Sequence, residues 1–401
     1  MSYLVPLGVA AALLMLSPFF SRLTRIPPSV IEILLGMAAF YFGILDPSGV
    51  FVAVAKVGFF FLMFLAGMEI DLKEFFKLGK SFLKRAFIYF STIYILSVII
   101  AINTNYSNFY VIAFPVMSVG MIMALLKYYG KNQIWLNNAL QIGILGEFLS
   151  IIALVLVSGF YRYGFTFELY KTLLVLFLFL AVVGVLFMIA KIIFWWFPLL
   201  KLYFIPKEIT MNEDIRFSMM LFFVMIAIVT FLDIDHILGA FFAGMIITTF
   251  FRYNKELPKK LHDFGFGFLV PLFFVFVGTT LDINIILQKP YLFMDAIQLI
   301  CIMLCIHLCA GFLANRHYLK DWNSLLLSLF SSCMPLTFLV AFATLGHDMG
   351  AITSDEYYTF VIAALSEGIL FVIIIKFLNM YRLKNALQHI KQHKESSGKK
   401  P

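Results

Sequence analysis

Apolar residues run through this chain for about twenty positions at a stretch, with only short polar breaks between the runs, and that pattern leaves few folds open. A hydrocarbon layer of roughly 30 Å is crossed by about 20 apolar residues in a helix. Inside it every backbone N–H and C=O must find its partner within the protein. The chain has 401 residues, 62% of them hydrophobic and only 13% charged, which is too little polar surface to coat a soluble globule. The expected fold is an all-α integral membrane protein of about thirteen crossings. They fall near residues 4–20, 28–45, 50–68, 86–103, 108–126, 134–159, 172–197, 215–232, 236–251, 263–280, 291–314, 322–346 and 357–379. Residues 1–380 are then one transmembrane domain and 381–401 a short basic cytoplasmic tail, with no sizeable soluble domain left over.

The net charge of +8 does not point to nucleic acid, because the basic residues alternate from loop to loop. Arg22, Lys80, Lys84, Arg85, Lys259, Lys260, Arg316 and Arg382 fall with most of the others on one side. The opposite loops hold only Arg162, Lys171 and Lys289. Lys and Arg concentrate on the cytoplasmic face, so the N-terminus is expected outside and the C-terminus inside. No charged segment precedes the first run, so Tyr3 to Phe20 is expected to stay as a helix rather than be removed as a signal peptide. Cys301, Cys305 and Cys309 share one helix face and are expected to be packing residues rather than metal ligands.

An odd number of crossings with ends on opposite sides accommodates two inverted six-helix repeats joined by the seventh helix. Pro115 in the fifth run and Pro335 in the twelfth occupy corresponding places in those repeats. Each removes a backbone hydrogen bond in mid-membrane. Together they predict discontinuous helices around an ion site at the midplane.

Charge at the bilayer centre costs at least about 2.5–3.5 kcal/mol per residue on insertion scales, so carboxylates in the runs are the candidates for chemistry. Glu147 lies near the centre of the sixth run and Glu367 in the thirteenth, its partner under the repeat. Glu32 sits early in the second run, where an ion pair or an interfacial position is expected. Ionised, Glu147 offers oxygen ligands to a hard monovalent cation; protonated, it offers none, so proton and cation compete for one group. His307, in the eleventh run, is a candidate for the ion pathway or for a local hydrogen bond. Lys56, Lys191 and Lys376 lie within runs and are expected to snorkel or pair. No cofactor is required, and nothing resembles a nucleotide loop, a nucleophile elbow or a zinc helix.

Three blocks resemble the second group of bacterial monovalent cation:proton antiporters, the Kef-type potassium efflux systems and their sodium/proton relatives. They are Pro28 to Asp46 (PSVIEILLGMAAFYFGILD), Val57 to Asp71 (VGFFFLMFLAGMEID), and Leu238 to Gly244 followed by Pro271 to Phe274 and Gly278 to Asp282. The resemblance implies the sodium/proton antiporter fold, with a core bundle, a dimerisation bundle and a homodimer in the bacterial inner membrane. It implies Na+ or K+ exchanged for H+, with membrane lipid around the protein; no nucleic-acid partner is expected. Glu147 falls where the family carries an aspartate, Gly146 where an acid or amide often stands, and His307 where a lysine is usual. Met117-Ser118 replaces a Thr-Ser-like pair, so Ser118 keeps a ligand oxygen. With one acid at the core, the expected exchange is electroneutral. With the last run followed by only a short tail, a Kef-type nucleotide-sensing domain is not expected. A cation channel, or an organic-anion carrier on the same architecture, is the alternative reading; an enzyme is not expected.

Overall fold

The computed structural model describes residues 4–397 apart from 25, 71–78, 105, 131–132, 165, 197–212, 251–255 and 320. Asp71 of the second block lies outside the described residues, as does the side chain of Lys191 and those of the tail from residue 383 onward. Every predicted run is helical. In chain order the helices are α1 (Val5–Thr24), α2 (Pro28–Tyr41), α3 (Gly49–Met68), α4 (Lys80–Thr104), α5 (Asn108–Ala113), α6 (Gly120–Tyr129), α7 (Ile134–Tyr163) and α8 (Phe167–Trp196). They continue with α9 (Glu213–Phe231), α10 (His236–Phe250), α11 (Glu256–Phe264), α12 (Val270–Thr279), α13 (Ile283–Gln288), α14 (Tyr291–Asn315), α15 (Trp322–Ser332), α16 (Leu336–Asp348) and α17 (Ser354–Ser397). Among the described residues, nine spans are long and apolar enough to cross a membrane by length and composition, two of them, Glu256–Thr279 and Trp322–Asp348, each made of two successive helices.

The chain divides into two compact units. Unit 1 holds residues 1–78, 151–287 and 345–351. Its crossings depend on close backbone approach: a Cβ on Gly36 would strike the Val275 carbonyl of α12, and one on Gly278 would strike the Ile33 carbonyl of α2. Gly67 and Gly244 repeat the device between α3 and α10. In lipid, where helices gain nothing by hiding apolar surface from water, such small residues allow tight van der Waals contact. A wider π turn, Gly265–Leu269, joins α11 to α12 just ahead of Pro271, whose missing N–H cannot serve the regular ladder. Glu32 is buried and accepts a hydrogen bond from Ser17 Oγ at 3.1 Å. The expected ion pair or interfacial place at Glu32 is thus replaced by a neutral hydroxyl donor.

Unit 2 holds residues 79–150, 288–344 and 352–401. In it α4 packs along α14, and α17 packs on α14 and α15. Asp321 caps α15 by accepting from Ser324 N at 3.1 Å and Ser324 Oγ at 2.8 Å. Cys301, Cys305 and Cys309 are exposed on α14, which corrects the expectation of packing. In a helix apolar on every side, period alone does not say which stripe faces protein and which faces out. Lys56 and Lys376 are exposed, as snorkelling side chains are. The tail beyond residue 380 continues α17 as helix to Ser397, because hydrophobicity ends there and helix propensity does not.

Candidate functional site

Both predicted discontinuities are present, and both lie within unit 2. The fifth run stops at Ala113 and resumes at Gly120; the twelfth stops at Ser332 and resumes at Leu336. Pro115 and Pro335 are buried in the gaps, where a residue lacking N–H and holding φ near −65° interrupts the ladder. Each gap frees backbone groups that must be satisfied locally in a buried, lipid-surrounded setting.

Glu147 meets one of these needs. It is 3% exposed on α7, and its Oε2 accepts the Val119 N–H at 2.8 Å. Val119 is the residue from which α6 starts, so the carboxylate sits at the positive end of a half-helix. One turn further along the same face of α7, Ser150 Oγ accepts the Met117 N–H at 3.4 Å. Ser118, between those two amides, pairs its Oγ with Thr337 Oγ1 at 2.9 Å. Thr337 stands two residues past Pro335, so a hydroxyl pair joins one break to the other.

His307, 1% exposed on α14, also serves the first break. Its Nε2 lies 3.2 Å from the Phe114 carbonyl and its Nδ1 2.9 Å from the Tyr89 hydroxyl. A carbonyl can only accept, so Nε2 carries a proton and donates, and in the neutral ring Nδ1 accepts from Tyr89. The side chain that stands where the resemblance expects a lysine thus caps a freed carbonyl. Glu367 is 1% exposed on α17, and its Oε2 has no hydrogen-bond partner.

Two departures from the resembled pattern explain each other. A Cβ at Gly146 would come within 2.9 Å of the Met117 Cβ, so the buried Met117 side chain fills the room that an acid or amide at 146 would need. The structure therefore gathers Glu147, Ser118 and His307 around the first break and sets Glu367 beside the second. Sequence reasoning passed over Thr337, Ser150 and Tyr89. The first follows Pro335 by two residues as Ser118 follows Pro115 by three, and the second lies three residues from Glu147 on one helix face, which are usable signals; Tyr89 offers none. A further polar cluster, in which Arg85 Nη1 donates to Asn138 Oδ1 at 2.9 Å and Asn138 Nδ2 to Ser328 Oγ at 3.1 Å, ties α4, α7 and α15 together. Among the described residues no group of three or more His, Cys, Asp and Glu side chains is placed to hold a metal ion.

Comparison with known proteins places the chain in a family. The Bacillus subtilis protein YjbQ, named for Na(+)/H(+) antiport, is 28% identical over 374 residues, covering 86% of this chain and 58% of its own length. NhaS4 of Synechocystis, named a Na(+)/H(+) antiporter, is 27% identical over 140 residues, covering 35% of this chain and 34% of its own. The chain thus spans less than two thirds of either relative. The solved structure of the sodium proton antiporter MjNhaP1 from Methanocaldococcus jannaschii at pH 8 matches 94% of this chain and 99% of its own, with a TM-score of 0.66 at 16% identity. That likeness shows the sodium/proton antiporter fold. Residues 9–380 match the family described as sodium/hydrogen exchanger, transmembrane, and the chain belongs to that family.

Proposed function

We propose that this protein is a secondary transporter that exchanges a monovalent cation, Na+ or K+, for H+ across a membrane by alternating access. The observation that carries the reading is the buried Glu147 carboxylate bonded to the Val119 N–H where α6 begins. An ionised carboxylate there attracts a cation, and its hydrogen bond and half-helix dipole hold it in place. A proton on the same oxygens removes the ligand, so the site crosses carrying one or the other. The names of YjbQ and NhaS4 support sodium as the cation. The resemblance to Kef-type systems keeps potassium in the test.

Met117 over Gly146 leaves Glu147 without a neighbouring acid at that position, which supports one-for-one, electroneutral exchange. In this reading Ser118 supplies a ligand oxygen, His307 serves the ion pathway by holding the break open, and Glu367 carries a proton without a cation. The loop charges support a cytoplasmic C-terminus and an outside N-terminus in a bacterial inner membrane. The antiporter fold supports a homodimer. The test is reconstitution into liposomes with a pH-sensitive dye, an imposed proton gradient, and Na+, K+ or Li+ added in turn. One cation should discharge the gradient in wild type and do nothing in Glu147→Gln. A response that persists unchanged in the variant removes Glu147 from the mechanism, and a current under voltage clamp removes electroneutrality.

A further inference from the structure

Three consecutive residues at the start of α6 do three different things. Ser118 turns a hydroxyl toward Thr337, Val119 gives its N–H to Glu147, and Gly120 leaves a hollow. A Cβ built at Gly120 would lie 3.7 Å from both Ser118 Oγ and Thr337 Oγ1, in ordinary contact with each, and apart from its chain neighbours and its own helix backbone no other heavy atom comes within 4 Å. The hollow is thus walled by two hydroxyl oxygens, which are 4% and 8% exposed by residue. It lies next to the amide that holds the Glu147 carboxylate.

We propose that Thr337 is a cation ligand and specificity residue, its hydroxyl oxygen joining that of Ser118 and the Glu147 carboxylate to seat a small dehydrated alkali cation in the hollow beside Gly120. The inference rests on the exchange reading of Glu147 and deepens it. Hydroxyl and carboxylate oxygens are the ligands that hard cations take. Each hydroxyl has two lone pairs and one proton, so the Ser118–Thr337 pair gives up one mutual hydrogen bond when both oxygens turn to a cation. The three ligands come from the first break, from α7 and from the second break. The cation therefore draws both discontinuous helices to one point, which a carboxylate on α7 alone does not do.

A hydrogen bond that serves only packing gives different kinetics from a ligand pair, and three variants separate them. In proteoliposomes, Thr337→Val, which keeps the shape and loses the oxygen, should raise the KM for the transported cation about tenfold. The loss should fall on KM rather than on Vmax, because binding before the crossing is weakened. Thr337→Ser should rescue most of it. Gly120→Ala fits sterically and favours helix, so it should melt no lower than wild type and yet raise KM, because its methyl occupies the hollow. A KM for Thr337→Val within about twofold of wild type, a Thr337→Ser variant as impaired as Thr337→Val, or an unchanged KM in Gly120→Ala overturns the proposal. The same variants are read by NaCl-dependent thermal stabilisation of the purified protein against choline chloride. If Glu147→Gln still exchanges, the exchange reading of Glu147 falls, and the Val-against-Ser contrast in stabilisation still decides Thr337. If Glu147→Gln is dead and Thr337→Val binds normally, only Thr337 is removed from the site.

Discussion

The two helix breaks of unit 2 pose the same backbone problem and solve it with different chemistry. The first, from Phe114 to Val119, is served from other helices by groups that can gain or lose protons or ions: Glu147 on the Val119 amide and His307 on the Phe114 carbonyl. The second, from Cys333 to Pro335, is closed mainly by its own chain. Cys333 N donates to Phe330 O at 3.3 Å, Cys333 Sγ to Leu329 O at 3.2 Å, and Leu339 N to Pro335 O at 2.6 Å. Its nearby carboxylate, Glu367, has an oxygen with no hydrogen-bond partner. In the proposed exchange the chemistry belongs where the acid holds the backbone, because a change in what Glu147 binds would be felt directly at the first turn of α6.

Neutralising each carboxylate in turn should separate the two breaks most strongly. Glu147→Gln should bring cation-driven proton flux to background for every cation. Glu367→Gln should keep the KM for the cation and slow the cycle while moving its pH profile, since a buried carboxyl with an unpartnered oxygen can hold a proton. Dye-dequenching titrations of both variants over a range of pH decide it. If Glu367→Gln is the silent variant and Glu147→Gln the active one, the roles of the breaks are reversed.

A middle-sized effect sharpens the part played by His307. Glutamine in its place can donate from Nε2 to Phe114 O and accept at Oε1 from Tyr89, and it has no proton to give. His307→Gln should therefore retain exchange with an unchanged pH profile, whereas His307→Ala leaves a buried carbonyl and a buried hydroxyl without partners. Each such group costs about 1–3 kcal/mol, so the alanine variant should melt lower and lose most of its flux. A glutamine variant that folds as wild type but shifts the pH profile would make His307 a proton carrier rather than a cap.

How much of this was legible follows from which signals survive in an apolar sequence. The runs and the two prolines are local properties, and they predicted the helices and both breaks. Glu147 was visible because a carboxylate in mid-membrane is costly enough to need a reason. The match of Met117 to Gly146 was not visible, because it is a fit between two helices and each residue alone reads as a departure. Tyr89 was hidden among many aromatic residues, in a chain that is 17% Phe, Trp and Tyr. The exposed cysteine stripe of α14 and the partner of Glu32 were missed for a common reason. Where nearly every side chain is apolar, polarity no longer reports direction, and only packing decides which face a residue shares.

The smallest expected effect lies at the loop before α14, far from either break in character. Lys289 Nζ meets Asp355 Oδ1 at 2.7 Å, and the Tyr291 hydroxyl donates to the other oxygen at 2.6 Å. Both charged side chains are more than a third exposed, so solvent screens the pair and its contribution to stability is slight. The hydrogen bond to Asp355 raises the Lys289 pKa above its ordinary value of 10.5. A lysine raised on folding stabilises fully below its unfolded pKa, and that contribution is lost as pH climbs through the folded one. Lys289→Met should therefore lower the melting temperature by no more than about two degrees at neutral pH, with Tyr291 still on Asp355. The gap to wild type should close only above pH 10.5. A large loss of exchange in this variant would mean that charge at this exposed loop matters to transport, and the division between served and self-closed breaks would no longer account for where the chemistry sits.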